Sequence, residues 1–406
     1  MVMIEFDPDM KKSDFSAVNI KIVGIGGAGG NTVNSMIESG LSNVEFIVAN
    51  SDLQALRNSK AACKIQIGVK TTKGLGCGAN PDLGRRATEE DLEKIMEHLE
   101  NADIVFIVAG MGGGTGSGGA PVIAKALKDR GILSIAVVTK PFLFEGKRRM
   151  LVAEHALEDL KKDVDTLIVV PNEKLLGLVD RSVSMVDSFN MINELLIHSV
   201  KSISSIISKS GHINVDFADL SAIMKGMGLA MMGTGSASGE NRASEAARKA
   251  ISSPLLENMD IKSAKGVLLN ISGGASLSLH EISDAANVIY DLSDKNAHII
   301  LGTVIDEDLD DEVVVSVVAT GFQPAVSAIT AAQPAIKTSK PEAVLFAEKD
   351  PVLQQAQQAK LQDVLQKIPR EELQRSDAHD KDELDVPAFL RKQLKSDILF
   401  DDMQGQ

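Results

Sequence analysis

Apolar residues along this chain follow two alternating rhythms. Short unbroken runs of Val and Ile give way to stretches where apolar residues recur every three or four positions. The first pattern reads as strands buried on both faces, the second as helices packed over them. Strands are expected at 18–26, 44–52, 104–110, 133–141 and 166–172. Helices are expected from Asn31, where Val33, Met36 and Ile37 mark one face, and over 91–100, 121–131 and 148–162. Such alternation builds an α/β fold with a doubly wound parallel sheet, here ending near residue 175. A long stripe follows over 182–208, with Met185, Phe189, Ile192, Leu196, Val200 and Ile203 in steps of three and four, the spacing of a core helix that links two domains. From about 220, helix 242–251, strand 266–274, helix 279–292 and strands 298–306 and 312–322 form a smaller α/β layer with a mixed sheet.

The ends read differently. Residues 1–17 are polar, and 323–380 are rich in Ala, Gln, Lys, Pro and Glu with weak periodicity, as in a flexible linker with transient helix near 350–367. The expected division is a loose segment 1–17, a first domain 18–181, a central helix 182–209, a C-terminal α/β domain 210–322, a linker 323–380 and a terminal peptide with an extension 381–406.

Composition narrows the chemistry. The net charge of −14 over 406 residues argues against unaided binding to nucleic acid or an anionic membrane. It suits a protein that meets phosphates through backbone N–H groups and metal. Two cysteines, Cys63 and Cys77, imply no disulfide framework and fit a reducing compartment. The opening MVMIEFDPDMKKSDF lacks the apolar core of a signal peptide. No apolar run reaches the ~18 residues needed to span a bilayer, so no direct membrane insertion is expected.

Three glycine clusters carry the candidate chemistry. Gly24-Ile-Gly26-Gly27-Ala28-Gly29-Gly30-Asn31 joins a strand to a helix, where backbone N–H groups can meet an anion. Alone it also matches the dinucleotide fingerprint GxGxxG, with Asp52 further along, and so leaves the nucleotide open. Gly110-Met-Gly112-Gly113-Gly114-Thr115-Gly116-Ser117-Gly118-Gly119 has seven glycines in ten residues. A nest of N–H groups around a polyphosphate, with the Thr115 and Ser117 hydroxyls as further ligands, explains that density. It is no Walker A loop, because no Gly-Lys-Ser/Thr follows. Thr71 to Pro81 is a third glycine-rich stretch; by itself it reads equally as an ordinary surface loop, and beside the other two as a cover for the terminal phosphate. In GHINVDFADL, Asp216 and Asp219 stand three residues apart. Spacing alone favours helix capping; the other reading is a carboxylate pair polarising water or lying near Mg²⁺.

Together these residues resemble FtsZ, the bacterial and organellar relative of tubulin. GGGTGSG matches the signature shared by tubulins and FtsZ, and GIGGAGGNTV, TKGLGCGANP, VVTKPFLFEGKRRM, VVPNEKLL, NVDFADL and AISSPLLE stand around it in the family's order. The resemblance covers 18–322 and a short C-terminal stretch. It implies a tubulin/FtsZ-like GTPase domain, a long central helix, a smaller C-terminal domain and a flexible tail.

By position, the resemblance assigns Gly27, Ala28, Gly29, Gly30 and Asn31, with Gly113, Gly114, Thr115, Gly116 and Ser117, to the phosphates of GTP or GDP, and Gly78 and Ala79 to the γ-phosphate side. Glu145 and Arg149 match ribose and phosphate contacts; Asn172, Phe189 and Asn193 match the guanine side, with Phe189 stacking on the base. Asn214, Asp216 and Asp219 match a loop that enters the next subunit's site and completes GTP hydrolysis there, with Mg²⁺ as cofactor. The implied function is head-to-tail self-polymerisation into the cytoplasmic division ring at midcell. DELDVPAFLRKQ resembles the family's C-terminal peptide, so Leu384, Asp385, Val386, Pro387, Phe389, Leu390 and Arg391 would bind membrane tethers of the FtsA or ZipA kind and division regulators. Two features depart from the pattern: Cys77 stands where a small Ala is usual, and LKSDILFDDMQGQ extends past the usual end. Two rival readings are an NAD-dependent enzyme and a GTP-binding scaffold that hydrolyses poorly. The second glycine loop and FEGKRRM oppose the first, and Asp216 and Asp219 oppose the second.

Overall fold

The computed structural model describes residues 18–176, 183–208, 213, 215–253, 255–256 and 261–322, all within one compact unit. The expectations for 1–17, for Asn214, and for the linker and terminal peptide including Leu384 to Arg391 lie outside the described residues.

β1 (Ile20–Ile25) leads into α1 (Gly26–Glu38), β2 (Glu45–Asn50) into α2 (Leu53–Arg57), and β3 (Cys63–Gln66) into α3 (Val69–Thr72). α4 (Pro81–Glu90) and α5 (Leu92–Leu99) precede β4 (Ile104–Gly110), which leads into α6 (Thr115–Asp129). β5 (Leu133–Lys140) is followed by a 3-10 turn at Leu143–Glu145 and α7 (Lys147–Asp163), and β6 (Thr166–Pro171) by α8 (Asn172–Leu176). Then come the long α9 (Met185–Ser208), α10 (Phe217–Met224), β7 (Gly228–Ser238), α11 (Arg242–Ile251), β8 (Gly266–Gly273), α12 (Leu279–Tyr290), β9 (His298–Ile305) and β10 (Glu312–Thr320).

Every strand expected from the Val/Ile runs lies inside its expected range. The strands form one continuous sheet of ten, in the order β3-β2-β1-β4-β5-β6-β7-β10-β8-β9. β1 to β6 pair in parallel, as buried βαβ units require. β10 runs antiparallel to both β7 and β8. The bridge between the two halves is β7, whose residues Gly228, Leu229 and Ala230 pair in parallel with Thr166, Leu167 and Ile168.

β7 has no counterpart among the expected elements. Its sequence, GLAMMGTGSAS, is poor in strand formers. The glycines are there for packing. A Cβ at Gly233 would lie 2.0 Å from the Ala250 carbonyl oxygen, and one at Gly235 2.3 Å from that of Ala246. α11 lies that close to the strand, and only glycine admits it.

Alternating strand positions feed opposite faces. One face packs Val33 and Met36 of α1, then Ile192, Leu196, Val200 and Ile203 of α9, and Leu220 and Ile223 of α10, in a cluster that runs under both halves. The other face splits: Ile95, Ile123, Leu127 and Leu160 cover the first half, and the alanines of α11 with Ile289 of α12 cover the second. α9 is thus the shared core helix the stripe predicts, with one correction. Met185 and Phe189 sit on its projecting N-terminal end, 71% and 40% exposed, and do not pack in the core.

Candidate functional site

The C-terminal ends of the parallel strands open into a cavity of about 680 Å³, the place where open α/β sheets bind ligands. Ile25 closes β1, Gly110 closes β4 and Thr139 lies near the end of β5; all three line it.

Both glycine clusters start helices here earlier than hydrophobic periodicity indicates. α1 begins at Gly26 rather than Asn31, and α6 at Thr115 rather than 121. The glycines make up the first turns themselves, so helix starts whose N–H groups no helical carbonyl satisfies border the cavity. Gly26 takes φ +72°, which turns the chain from strand to helix in one residue. A Cβ at Gly27 or Gly113 would meet nothing within 4 Å, although both line the cavity. That open space is what a phosphate lying against bare backbone needs.

Of the residues assigned from the motifs, Gly27, Ala28, Asn31 and Gly78 line the cavity, as do Gly113, Gly114, Thr115 and Gly116. Glu145, Arg149, Asn172, Phe189 and Asn193 form its other end. Four do not line it. Gly29 and Gly30 face the sheet: a Cβ at Gly29 would lie 2.3 Å from the Val108 carbonyl oxygen and one at Gly30 3.4 Å from the Val48 side chain. Ser117 is buried, and its hydroxyl accepts the Gly112 N–H at 2.9 Å, holding the loop from behind. Ala79 is exposed outside the cavity. The Gly78 carbonyl accepts the Gly114 N–H at 2.9 Å, which ties the third glycine stretch to the second.

At the far end Glu145 accepts the Phe142 N–H at 2.9 Å and pairs with Arg149 one helical turn on. Phe189 meets Phe142 edge to face, with ring centroids 5.7 Å apart, and is partly exposed at the cavity. Asn193 Oδ1 accepts the Thr32 hydroxyl at 3.0 Å. Asn172 is 6% exposed, lines the cavity, and its Oδ1 has no partner. A buried carbonyl oxygen without a donor is costly; a ligand N–H would satisfy it. Sequence reasoning missed Asn50, Cys77, Thr32 and Ile192 as wall residues. The position of Asn50 at the C-terminal end of β2 was the available signal.

The acidic pair lies elsewhere. Asp216 caps α10, its Oδ1 accepting the Asp219 N–H at 2.7 Å, as spacing alone favours. Both carboxylates are exposed and neither lines the cavity. The C-terminal end of α10 is held at the start of β6: the Thr166 hydroxyl donates to the Met224 carbonyl at 2.5 Å, and Gly226 N–H donates to Asp165 at 3.2 Å. α9 leaves the cavity at Leu196 and runs twelve residues further to Ser208, about 18 Å at the helical rise. The pair thus stands apart from the cavity, beside the second half of the sheet, where Ile213 N–H donates to Thr303 Oγ1 of β9 at 3.2 Å.

Among the described residues no helix is long and apolar enough to cross a membrane. The Tubulin/FtsZ family GTPase domain matches residues 19–180, and the FtsZ family C-terminal domain matches 228–323. The FtsZ dimer of M. jannaschii is 44% identical, with a TM-score of 0.72 over 75% of this chain and 89% of its own. CetZ2 of Haloferax volcanii, a GTPγS-bound protofilament, shares the fold at 23% identity and a TM-score of 0.65, over 75% of this chain and 94% of its own. Both family domains are present in order, around a cavity with glycine-built helix starts at one end and an unpaired carboxamide at the other. The chain is a guanine-nucleotide-binding GTPase and belongs to the FtsZ family.

Proposed function

We propose that this GTPase assembles head to tail, and that each bound GTP is hydrolysed where one copy's cavity meets the acidic pair of the next. The observation that carries this reading is the separation of the two parts. Asp216 and Asp219 are exposed at the start of α10 and neither lines the cavity, so in this reading a protomer's own carboxylates do not serve its own nucleotide. Stacked copies join them. The M. jannaschii relative, itself a dimer, supports self-association.

In this reading Gly27 to Asn31 and Gly113 to Ser117 serve the phosphates, with Gly29, Gly30 and Ser117 shaping the backbone from behind the cavity wall. Gly78 and Ala79 close the γ-phosphate side, and Glu145 and Arg149 take the ribose and phosphate. Phe189 stacks on guanine beside Asn172 and Asn193. Asn214, Asp216 and Asp219 orient and polarise the attacking water in the neighbour's site. No three His, Cys, Asp or Glu side chains gather to hold a metal among the described residues. In this reading Mg²⁺ arrives with the triphosphate, since this ion is held largely by phosphate oxygens and water. When bound it neutralises phosphate charge. The assembled polymer forms the division ring in the cytoplasm at midcell, with residues 384–391 binding tethers of the FtsA or ZipA kind.

The test is GTPase rate per subunit against protein concentration. The rate should rise from near zero in dilute solution to a plateau, in step with light scattering that GTP raises and GDP does not. A rate per subunit that stays flat throughout would remove the shared site. At the base end, Asn172→Ala should weaken GTP binding by about tenfold, the scale of one lost buried hydrogen bond. It should also lower the preference for GTP over ATP in competition binding. An unchanged preference would take Asn172 out of guanine recognition.

A further inference from the structure

Behind the glycine end of the cavity, three side chains form a chain of hydrogen bonds that the phosphate cradle itself does not require. Ser51 follows β2 and is completely buried. Its carbonyl oxygen accepts the Gly76 N–H at 3.2 Å, which holds the loop through residues 74–78, and lies 3.3 Å from the Thr72 hydroxyl, whose shorter bond of 2.9 Å goes to the Gly68 carbonyl. Its hydroxyl lies 2.7 Å from that of Thr115, the first residue of α6. The Cys77 thiol donates to the same hydroxyl at 3.2 Å. Cys77 and Thr115 line the cavity, while Ser51 stands behind them. Ser51 therefore joins the end of β2, the third glycine stretch and the start of α6.

Proton counting allows this chain two directions, and a phosphate in the cavity selects one of them. A hydroxyl has one proton to donate and lone pairs to accept with. The Cys77 S–H occupies a lone pair of Ser51. In one direction the Ser51 proton goes to Thr115 Oγ1, which leaves the Thr115 proton for the cavity. Phosphate oxygens can only accept, so this order is the one that suits them. We propose that Ser51, oriented by Cys77, is a positioning residue that aims the Thr115 hydroxyl proton at a phosphate of the bound nucleotide. The proposal rests on the glycine end being the phosphate site. It gives a role to Cys77, the position where the chain departs from the family's usual small residue.

The experiment measures equilibrium GTP affinity on dilute full-length protein, by competition with a fluorescent GTP analogue. Thr115→Val should weaken binding by about tenfold, the scale of one hydrogen bond to a charged group. Ser51→Ala should weaken it by a similar factor, and the Ser51→Ala/Thr115→Val double variant should be no weaker than Thr115→Val alone. Cys77→Ala should lose about threefold to fivefold, the smaller share expected of a weak S–H donor. Cys77→Ser, which keeps a donor but not the sulfur's bulk, should recover most of that loss. Equal losses in Cys77→Ala and Cys77→Ser would mean packing rather than hydrogen bonding and would overturn the proposal. If Thr115→Val weakens binding while Ser51→Ala and Cys77→Ala do not, the relay is wrong and the phosphate site stands. If Thr115→Val leaves affinity unchanged, the phosphate reading of this loop fails and the relay with it. Thermal unfolding of the nucleotide-free variants identifies any that fail to fold; if Ser51→Ala is one, the Cys77 pair decides.

Discussion

Asp216→Asn should bind GTP as the parent does and lose turnover by a factor on the order of 10²–10³, within the range for removing a group that handles the reacting water. Asparagine is the informative replacement. The Asp216 carboxylate already accepts the Asp219 N–H at the start of α10, and a carboxamide oxygen caps as well. Alanine would also remove the cap, at a cost of about 1 kcal/mol, and mix a folding effect into the kinetics. Asp219→Asn, one helical turn on and equally exposed, should behave in the same way. Mixing makes the shared site visible. A Cβ at Gly27 meets nothing within 4 Å, so Gly27→Leu projects a side chain from the cavity wall. It should abolish nucleotide binding while leaving Asp216 and Asp219 intact. Neither variant turns over alone, yet together they should regain part of the parent rate, because Asp216→Asn supplies the nucleotide and its neighbour the acids. No recovery at any mixing ratio would sink catalysis in trans.

The sheet was legible in the sequence wherever strands are runs of Val and Ile, because burial on both faces leaves no polar alternation to confuse them. β7 was not, since Gly233 and Gly235 serve the approach of α11 and carry no strand signal of their own. The same physics hid the true starts of α1 and α6. Glycine lowers helix propensity, so periodicity placed those helices at Asn31 and residue 121, while the backbone begins them five and six residues earlier. The functional consequence is large, because those first turns line the cavity. Thr115 was legible from its loop; Ser51 was not, because its role depends on contacts 21 to 64 residues away along the chain. Phe189 shows the opposite case. Its spacing placed it on the core stripe and only the family resemblance placed it at the base; its 40% exposure takes it off that stripe, and it lines the cavity.

Arg242→Met should destabilise the fold by about 3 kcal/mol, the low end for removing one partner of a buried ion pair. The side chain opens α11 and is 6% exposed. Its Nε donates to Glu281 Oε1 at 2.7 Å, and Nη1 to the Asp311 carbonyl oxygen at 2.9 Å, while Nη2 donates to Ser276 Oγ at 3.1 Å. One guanidinium thus fastens the turn before α12 and the turn before β10 to α11, as its planar fork of five donors allows and lysine's would not. The low end applies because the Asp311 side chain is 74% exposed, so water screens that arm. Glu281 gives the loss a pH signature. The Arg242 hydrogen bond, helped by the Ser278 cap, holds its carboxyl down at about 2. A folded-state pKa below the unfolded value stabilises at pH above the unfolded value and is lost as pH falls through the folded one. The parent should therefore keep this contribution at neutral pH and lose it between about 4.5 and 2. Denaturant unfolding should show the gap between parent and Arg242→Met widest at neutral pH and narrowing through that acid window. A gap that stays constant down to pH 2 would mean the methionine acts through packing alone, with no part played by the ion pair.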